Sequence, residues 1–525
     1  MNFRNYKELS NFSLQYTHLL IPFFLFILAI LLRYPAIERD SLWLDEAWRL
    51  QLFSAQLNTV DLRVFISQVF GFDGVIRLIV NLFGANEWTL RGVSFISGVL
   101  AIPTLYFLGY KITGKILISL VASFLLAINP WHITYSSEMA PYALGSFLFP
   151  LFLIALIRLN EKNDNSSLVI SILIGTTLSV MHLYFFVLTV ICCFILVVIN
   201  WDRESFKNKV VLIFIIIFLL NIFQIMPFFS WVETDEVSMR YNINWTVGYP
   251  LKVLNAITSG PIPNRFVSTV SHMPFGYLLI FYSITLLTTL LFIRSFIYSI
   301  KLHNKITILI VYPTFLYVLF IYLQGHIANS AFIRYLIPVL PVLLLIVVLS
   351  MIKFASIKPK LYKFLIFIFG FYLMNYSLAL YHEAPGEKYK PKYRNFFASF
   401  IDECSENNVY FFNPNLEELP IFLYYLKGTD CNIVKQPSFT GYFEEGQLNL
   451  LDNNKMTLLQ QDNWMSKEIE RLSIDGATLY VVARRKQIRT LNVVKSTGLS
   501  FDKIINESIP DLLIFKINQD SKILE

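Results

Sequence analysis

The chain has 525 residues, 55% of them hydrophobic, with 48 Phe and 28 Tyr but only 15% charged residues. So little charge excludes an ordinary soluble globular protein, and the apolar residues are gathered into runs long enough to cross a bilayer. The net charge of +7 divides into 26 Lys+Arg against 16 Asp+Glu before Glu383, and 17 against 20 from there on. This is not a nucleic-acid footprint, because the basic residues lie in short loops between apolar runs and not on a face with stacking aromatics.

In chain order, Arg4 and Lys7 precede the first run, LLIPFFLFILAILL from Leu19. It has no small-residue cleavage site and reads as a retained helix. About eleven spans are predicted by length and hydropathy, centred near Phe26, Leu100, Val121, Leu151, Leu173, Ile191, Ile215, Leu286, Leu316, Leu345 and Phe369. With the N-terminus cytoplasmic, every second loop should be basic. The alternate loops hold Lys111 and Lys115; Arg158 and Lys162; Arg203, Lys207 and Lys209; Arg294, Lys301 and Lys305; and Lys353, Lys358, Lys360 and Lys363. This predicts a multi-pass plasma (inner) membrane protein whose C-terminal part is extracytoplasmic.

The first outer loop, about residues 34–91, is too long for a turn. It carries two amphipathic stretches, LDEAWRLQLF and VIRLIVNLFG, suited to the membrane interface. Other outer segments read NPWHITYSSEMAPYA and QGHIANSAFIRY, and residues 230–273 form a third that is rich in Pro and Gly. After Tyr381 the polar stretch HEAPGEKYKPKYR reads as a linker. Helical and strand patterns then alternate, which predicts a small α/β domain over 383–525 with a mostly parallel sheet. The membrane domain is expected over 1–382. There is no glycine-rich phosphate loop in the terminal part.

Several residues stand out chemically. Asp45 and Glu46 lie in an interfacial stretch with Trp43 and Trp48. Arg49, four residues after Asp45, permits a plain helical ion pair, while carboxylates at membrane depth also mark functional sites. A second group is His132, Tyr135, Glu138 and Tyr142, with Glu138 and Tyr142 four apart at an expected helix start, where an acid also has a purely dipolar use. His182 and Tyr184 fall at another outer helix end. Arg334 and Tyr335 begin an apolar helix broken by Pro338 and Pro341, where Arg334 is either a snorkelling cation or a phosphate clamp. No metal-ligand spacing occurs in the sequence. Cys192 and Cys193 read as packing residues. Cys404 and Cys431, in the polar part, are expected to approach each other as a disulfide pair.

The ordered set of motifs resembles the GT-C superfamily of membrane glycosyltransferases, and within it glycosyltransferase family 39 and its bacterial relatives. These include protein O-mannosyltransferases and aminoarabinose transferases. The carrying segments are LWLDEAW, NLFGANEWTLRGVSFISGVLAIPTLYFLGYKITG, NPWHITYSSEMAPYA, HLYFFVL, RYLIPVLP and KPKYRNFFASFID. The resemblance implies a GT-C fold and transfer of a sugar from a polyprenyl-phosphate carrier to an acceptor on the outer membrane face. It implies Asp45 as general base with Glu46 as its partner, and Glu138 as a second acid lining the same cavity. Arg334 would hold the carrier phosphate, and Tyr335, Tyr142, His182, His132 and Arg49 would be further binding residues. No cofactor is implied, since arginine or lysine can stabilise the leaving phosphate. Relatives often carry His-Pro-Pro where this chain has GFDGVIRLIV, and arginine where it has Ala140. These departures imply an altered substrate, or loss of activity in an assembly partner. A lipid or polysaccharide transporter is the other class left, although no internal symmetry favours it.

Overall fold

The computed structural model describes residues 20–37, 71–232, 305–328 and 333–357 of the apolar part, and scattered positions between them. In the C-terminal part it describes 408–412, 432–434, 466–467, 469–471, 478–484, 494–497, 499–505 and 512–522, with single positions elsewhere. The expected Cys404–Cys431 pair lies outside the described residues. By packing, the chain divides into two units, Met1–Arg39 with Val69–Glu383 and Asp40–Gln68 with Ala384–Glu525.

The first unit is a helical bundle. Helix α1 spans Leu20–Ile37. It is followed by α2 (Phe72–Phe83), α3 (Glu87–Thr113), α4 (Ile116–Ala127), α5 (Pro130–Ser136) and α6 (Tyr142–Lys162). Then come α7 (Asn165–Met181), α8 (Leu183–Ile199), α9 (Glu204–Val232) and α10 (Lys305–Ala328). A 3-10 segment, Ile333–Val339, leads into α11 (Leu340–Ile357). Of the expected span centres, all but Leu286 and Phe369 fall within these helices; Leu286 is a single helical position and Phe369 lies outside the described residues.

Local chemistry sets the helix ends. Asn86 accepts from the Thr89 backbone N–H and the Thr89 hydroxyl accepts from that of Asn86, both at 2.9 Å, a reciprocal cap that starts α3. Gly114, at φ 63°, ends it in a left-handed turn that other residues adopt at a cost. Asp164 caps α7, accepting from the Ser167 N–H at 2.7 Å. The span of α4 breaks at Asn129–Pro130, where proline removes a donor and pushes the preceding residue out of the helical region. Asn129 instead caps α5, which leaves α4 at a bend of 60°.

Four described helices are long and apolar enough to cross a membrane: α1, α3, α6 and the Glu204–Ile222 part of α9; the bent pair α4–α5 makes a fifth. Helices α7 and α8 are shorter, at 17 residues each. The core is dense with aromatic rings, with Tyr106, Trp131, Phe149, Phe152 and Phe185 fully buried. The rim is equally apolar: Phe24 is 66% exposed, Leu31 64% and Phe194 64%. Water would not tolerate such a belt over several helices, and hydrocarbon chains would. At one end of the bundle Lys111 pairs with Glu161 at 2.6 Å, Arg203 donates to Asn160 and Lys209 donates to the Asn163 carbonyl.

In the second unit five strands form one sheet in the order β2-β1-β3-β5-β4. They are β1 (Asn408–Phe412), β2 (Asn432–Val434), β3 (Thr478–Arg484), β4 (Leu499–Ile505) and β5 (Leu512–Lys522). Strand β1 pairs in parallel with β2 and β3, whereas β5 is antiparallel to both β3 and β4. The sheet is thus mixed and not mostly parallel. The stretch 506–511 is too short for the crossover of about a dozen residues that a parallel pair needs, so β4 and β5 form a hairpin. Leu479, Tyr480, Val481 and Val482 are buried in succession, as befits a central strand covered on both faces.

Candidate functional site

The bundle end opposite the lysine-rich turns collects the start of α6, the α7–α8 junction and the 3-10 segment. Helix α6 begins at Tyr142, after Pro141, so Glu138 stands in the turn before the helix and not on its first turn. Between α7 and α8 there is only His182, whose Nδ1 accepts the Tyr184 N–H at 3.3 Å and caps α8. The 3-10 form of Ile333–Val339 follows from Pro338, which cannot donate within a helical turn.

These three elements bring five predicted residues together. The Tyr142 ring lies 5.9 Å from His182 and 5.9 Å from Tyr335. His182 stacks on Tyr184 at 5.4 Å, and Tyr184 stacks on Tyr335 at 4.0 Å with the planes only 19° apart. The Arg334 guanidinium sits over the Tyr142 ring at 5.8 Å, a cation–π geometry. The Tyr317 hydroxyl donates to the Tyr335 carbonyl at 2.8 Å, and the Gln324 amide donates to the Tyr184 hydroxyl at 2.6 Å. Gly145 makes the convergence possible. A methyl group there would meet the Phe185 ring at 2.7 Å and Pro338 at 2.8 Å, so only glycine lets α8 and the 3-10 segment close on α6. The result is a cation with phenol hydroxyls, an imidazole and an amide on an apolar wall. Such a set suits an anionic or hydroxyl-rich group at the edge of a membrane.

The remaining predicted residues are placed as follows. His132 is fully buried, with Nδ1 2.8 Å from Arg33 and Nε2 2.7 Å from the Ser146 hydroxyl. Glu138 is buried in its turn, with the neighbouring Ala140 held by Ser94. Glu46 is buried and Arg49 half-buried, both helical and both in the second unit, where the Leu42 N–H donates to the Tyr425 hydroxyl at 2.9 Å. Asp45 lies outside the described residues, and the expected placement of its carboxylate with it. Among the described residues no three His, Cys, Asp or Glu side chains gather as a metal would require. Arg33, Tyr317 and Gln324 were not among the candidates read from sequence. Only Arg33 carried a signal, as a cation on the last turns of an apolar helix.

Residues 70–231 match the family described as dolichyl-phosphate-mannose-protein mannosyltransferase. No curated protein matches the chain. Among solved structures the chain is similar to ArnT from Cupriavidus metallidurans, in crystal structures of its apo state and of its complex with undecaprenyl phosphate. In both cases the identity is 12%, the coverage is 94% of this chain and 97% of the other, and the TM-score is 0.56. The likeness is one of fold, and that fold is the GT-C fold implied by the ordered motifs.

Proposed function

With the GT-C fold of membrane glycosyltransferases as premise, we propose that this chain moves a sugar from a polyprenyl-phosphate donor to an acceptor hydroxyl on the extracytoplasmic face. The observation that carries the reading is the meeting of Tyr142, His182, Arg334 and Tyr335, drawn from three separated segments, at one end of an apolar bundle. The ArnT complex with undecaprenyl phosphate supports the donor class. The gathering of Lys111, Arg203 and Lys209 at the other end supports a cytoplasmic location there, which turns the aromatic cluster outward. By the same reading the C-terminal part is extracytoplasmic.

The step is a displacement at the anomeric carbon. The acceptor oxygen bonds to that carbon while its bond to the phosphate oxygen breaks. By the family resemblance, the acceptor proton passes to the Asp45 carboxylate with Glu46 as its partner, and Glu138 is a further acid in the chemistry. The departing polyprenyl phosphate carries the charge that Arg334 offsets, with the Tyr335 and Tyr142 hydroxyls and His182 as further donors. Ala140, where relatives often have arginine, is buried with its N–H and carbonyl both on the Ser94 hydroxyl, so the phosphate role rests on Arg334.

Purified protein incubated with labelled polyprenyl-phosphate sugars and a panel of lipid, glycan and peptide acceptors tests this. Transfer that is lost in Arg334→Ala supports the reading. Donor binding without transfer to any acceptor would indicate an inactive assembly partner, and movement of intact donor across vesicles a transporter.

A further inference from the structure

Arg33 is the feature of the bundle that the transferase reading leaves unused. It is fully buried on α1 and donates all five of its N–H groups. Nε donates to the Ser136 hydroxyl at 3.3 Å; Nη1 to the Ala29 and Ala127 carbonyls at 3.3 and 3.0 Å; and Nη2 to the Leu126 carbonyl at 3.4 Å and His132 Nδ1 at 2.8 Å. Every acceptor is neutral. A guanidinium so saturated has no donor left for a ligand. A charge buried without a carboxylate partner is also a poor source of stability, since apolar replacements of buried ionic groups are often neutral or stabilising. The arrangement therefore calls for a use other than holding the bundle together.

Its geometry points to the turn that bears Glu138. A guanidinium only donates, so His132 Nδ1 must carry its lone pair and the ring proton must sit on Nε2. Nε2 then donates to Ser146 at 2.7 Å, and Ser146 donates to the Ala143 carbonyl at 2.7 Å. Ser136, which accepts from Arg33, stands two residues before Glu138 and packs over Gly98, where a Cβ would collide with its side chain. On the other side of Glu138 the Ser94 hydroxyl donates to the Ala140 carbonyl at 2.9 Å and accepts its N–H at 3.4 Å. The acid is thus gripped from α1 through Ser136 and from α3 through Ala140, while His132 ties the same turn to α6.

We infer that Arg33 and His132 are positioning residues that hold the turn carrying Glu138 in its working geometry, rather than ligands of the substrate. The inference rests on the transferase reading of Glu138. Lysine cannot replace Arg33, because its three donors from a single nitrogen cannot span acceptors on α1, α4 and α5. For His132, glutamine offers one acceptor and one donor group, and phenylalanine offers neither.

Two measurements on the full-length protein separate the clamp from the reading it rests on. In 15N-histidine spectra, the His132 signal, assigned by its loss in His132→Gln, should show a bare Nδ1 and a protonated Nε2, and should change in Arg33→Lys. This readout does not depend on any transfer. In the labelled-donor assay, Arg33→Lys should lower kcat tenfold or more with donor KM within threefold. His132→Gln should keep more activity than His132→Phe. Ser94→Ala, which leaves the Arg33 contacts whole, should lower kcat severalfold with the His132 signal unchanged. Parental kcat in Arg33→Lys, or a His132 protonated on Nδ1, overturns the inference. Wild-type protein that shows the locked tautomer but transfers nothing overturns the transferase reading and leaves the clamp.

Discussion

Gly145→Ala is a direct test of how the aromatic cluster is built. The new methyl would stand 2.7 and 2.8 Å from two atoms of the Phe185 ring and 2.8 Å from Pro338. Carbon atoms at rest lie roughly 3.5–4.0 Å apart, so α8 and the 3-10 segment must retreat by most of an ångström. Overpacking of this kind costs typically about 1–3 kcal/mol. Helix propensity acts the other way, because alanine is favoured over glycine inside a helix by roughly 0.5–1 kcal/mol. Gly92→Ala supplies the control: Gly92 lies inside α3 with nothing within 4 Å of its would-be Cβ, so only the propensity term applies. The propensity terms cancel between the two variants, and Gly145→Ala should be less stable than Gly92→Ala by about 1–3 kcal/mol. Thermal unfolding in one detergent or nanodisc preparation measures the difference. Donor KM should rise in Gly145→Ala alone, since Tyr142, Tyr184 and Tyr335 are pushed apart. Equal melting temperatures and equal KM for the two variants would refute the packing argument.

Asp45→Asn keeps the size of the side chain but cannot take a proton, so turnover should fall by on the order of a hundredfold or more with carrier binding retained; parental turnover would remove Asp45 from the mechanism. Tyr317→Phe leaves the part-buried Tyr335 carbonyl without its 2.8 Å donor and should cost about 1 kcal/mol in thermal or denaturant unfolding. Hydrogen bonding from Ser167, whose backbone N–H lies 2.7 Å from the carboxylate, leads the causes that lower Asp164 from 3.8 to about 2. A carboxyl lowered on folding contributes stability above pH 3.8 that fades as pH falls through about 2. Melting curves of the wild type and Asp164→Asn should accordingly converge across that window, and parallel curves would contradict the cap. A reporter fused after Tyr381 should be active only if it works outside the cytoplasm, and cytoplasmic activity would reverse the orientation.

Much of the helical scaffold was legible because its causes are local. The apolar runs, the Asn86/Thr89 cap, the Asn129–Pro130 break and the proline-tightened start of α11 depend on residues a turn or two apart. The β4–β5 hairpin was equally readable from the short stretch 506–511, and the mostly parallel expectation missed it by weighing alternation over connection length. Pairing of β5 with β3 is different, since the two strands are not neighbours in sequence and only packing chooses the partner.

What the sequence by itself determined is which stretches become helix or strand, that the bundle presents an apolar rim, and which residue types are costly enough at membrane depth to suggest chemistry. Tertiary structure alone decided which of them meet. It brought Tyr142, His182, Arg334 and Tyr335 to one place, gave both nitrogens of His132 to Arg33 and Ser146, and grouped Asp40–Gln68 with the C-terminal unit and not with the bundle. The reason is physical. Hydropathy and capping act over one or two turns and leave a pattern in neighbouring residues, whereas a guanidinium finds acceptors about a hundred residues away only after the helices have packed.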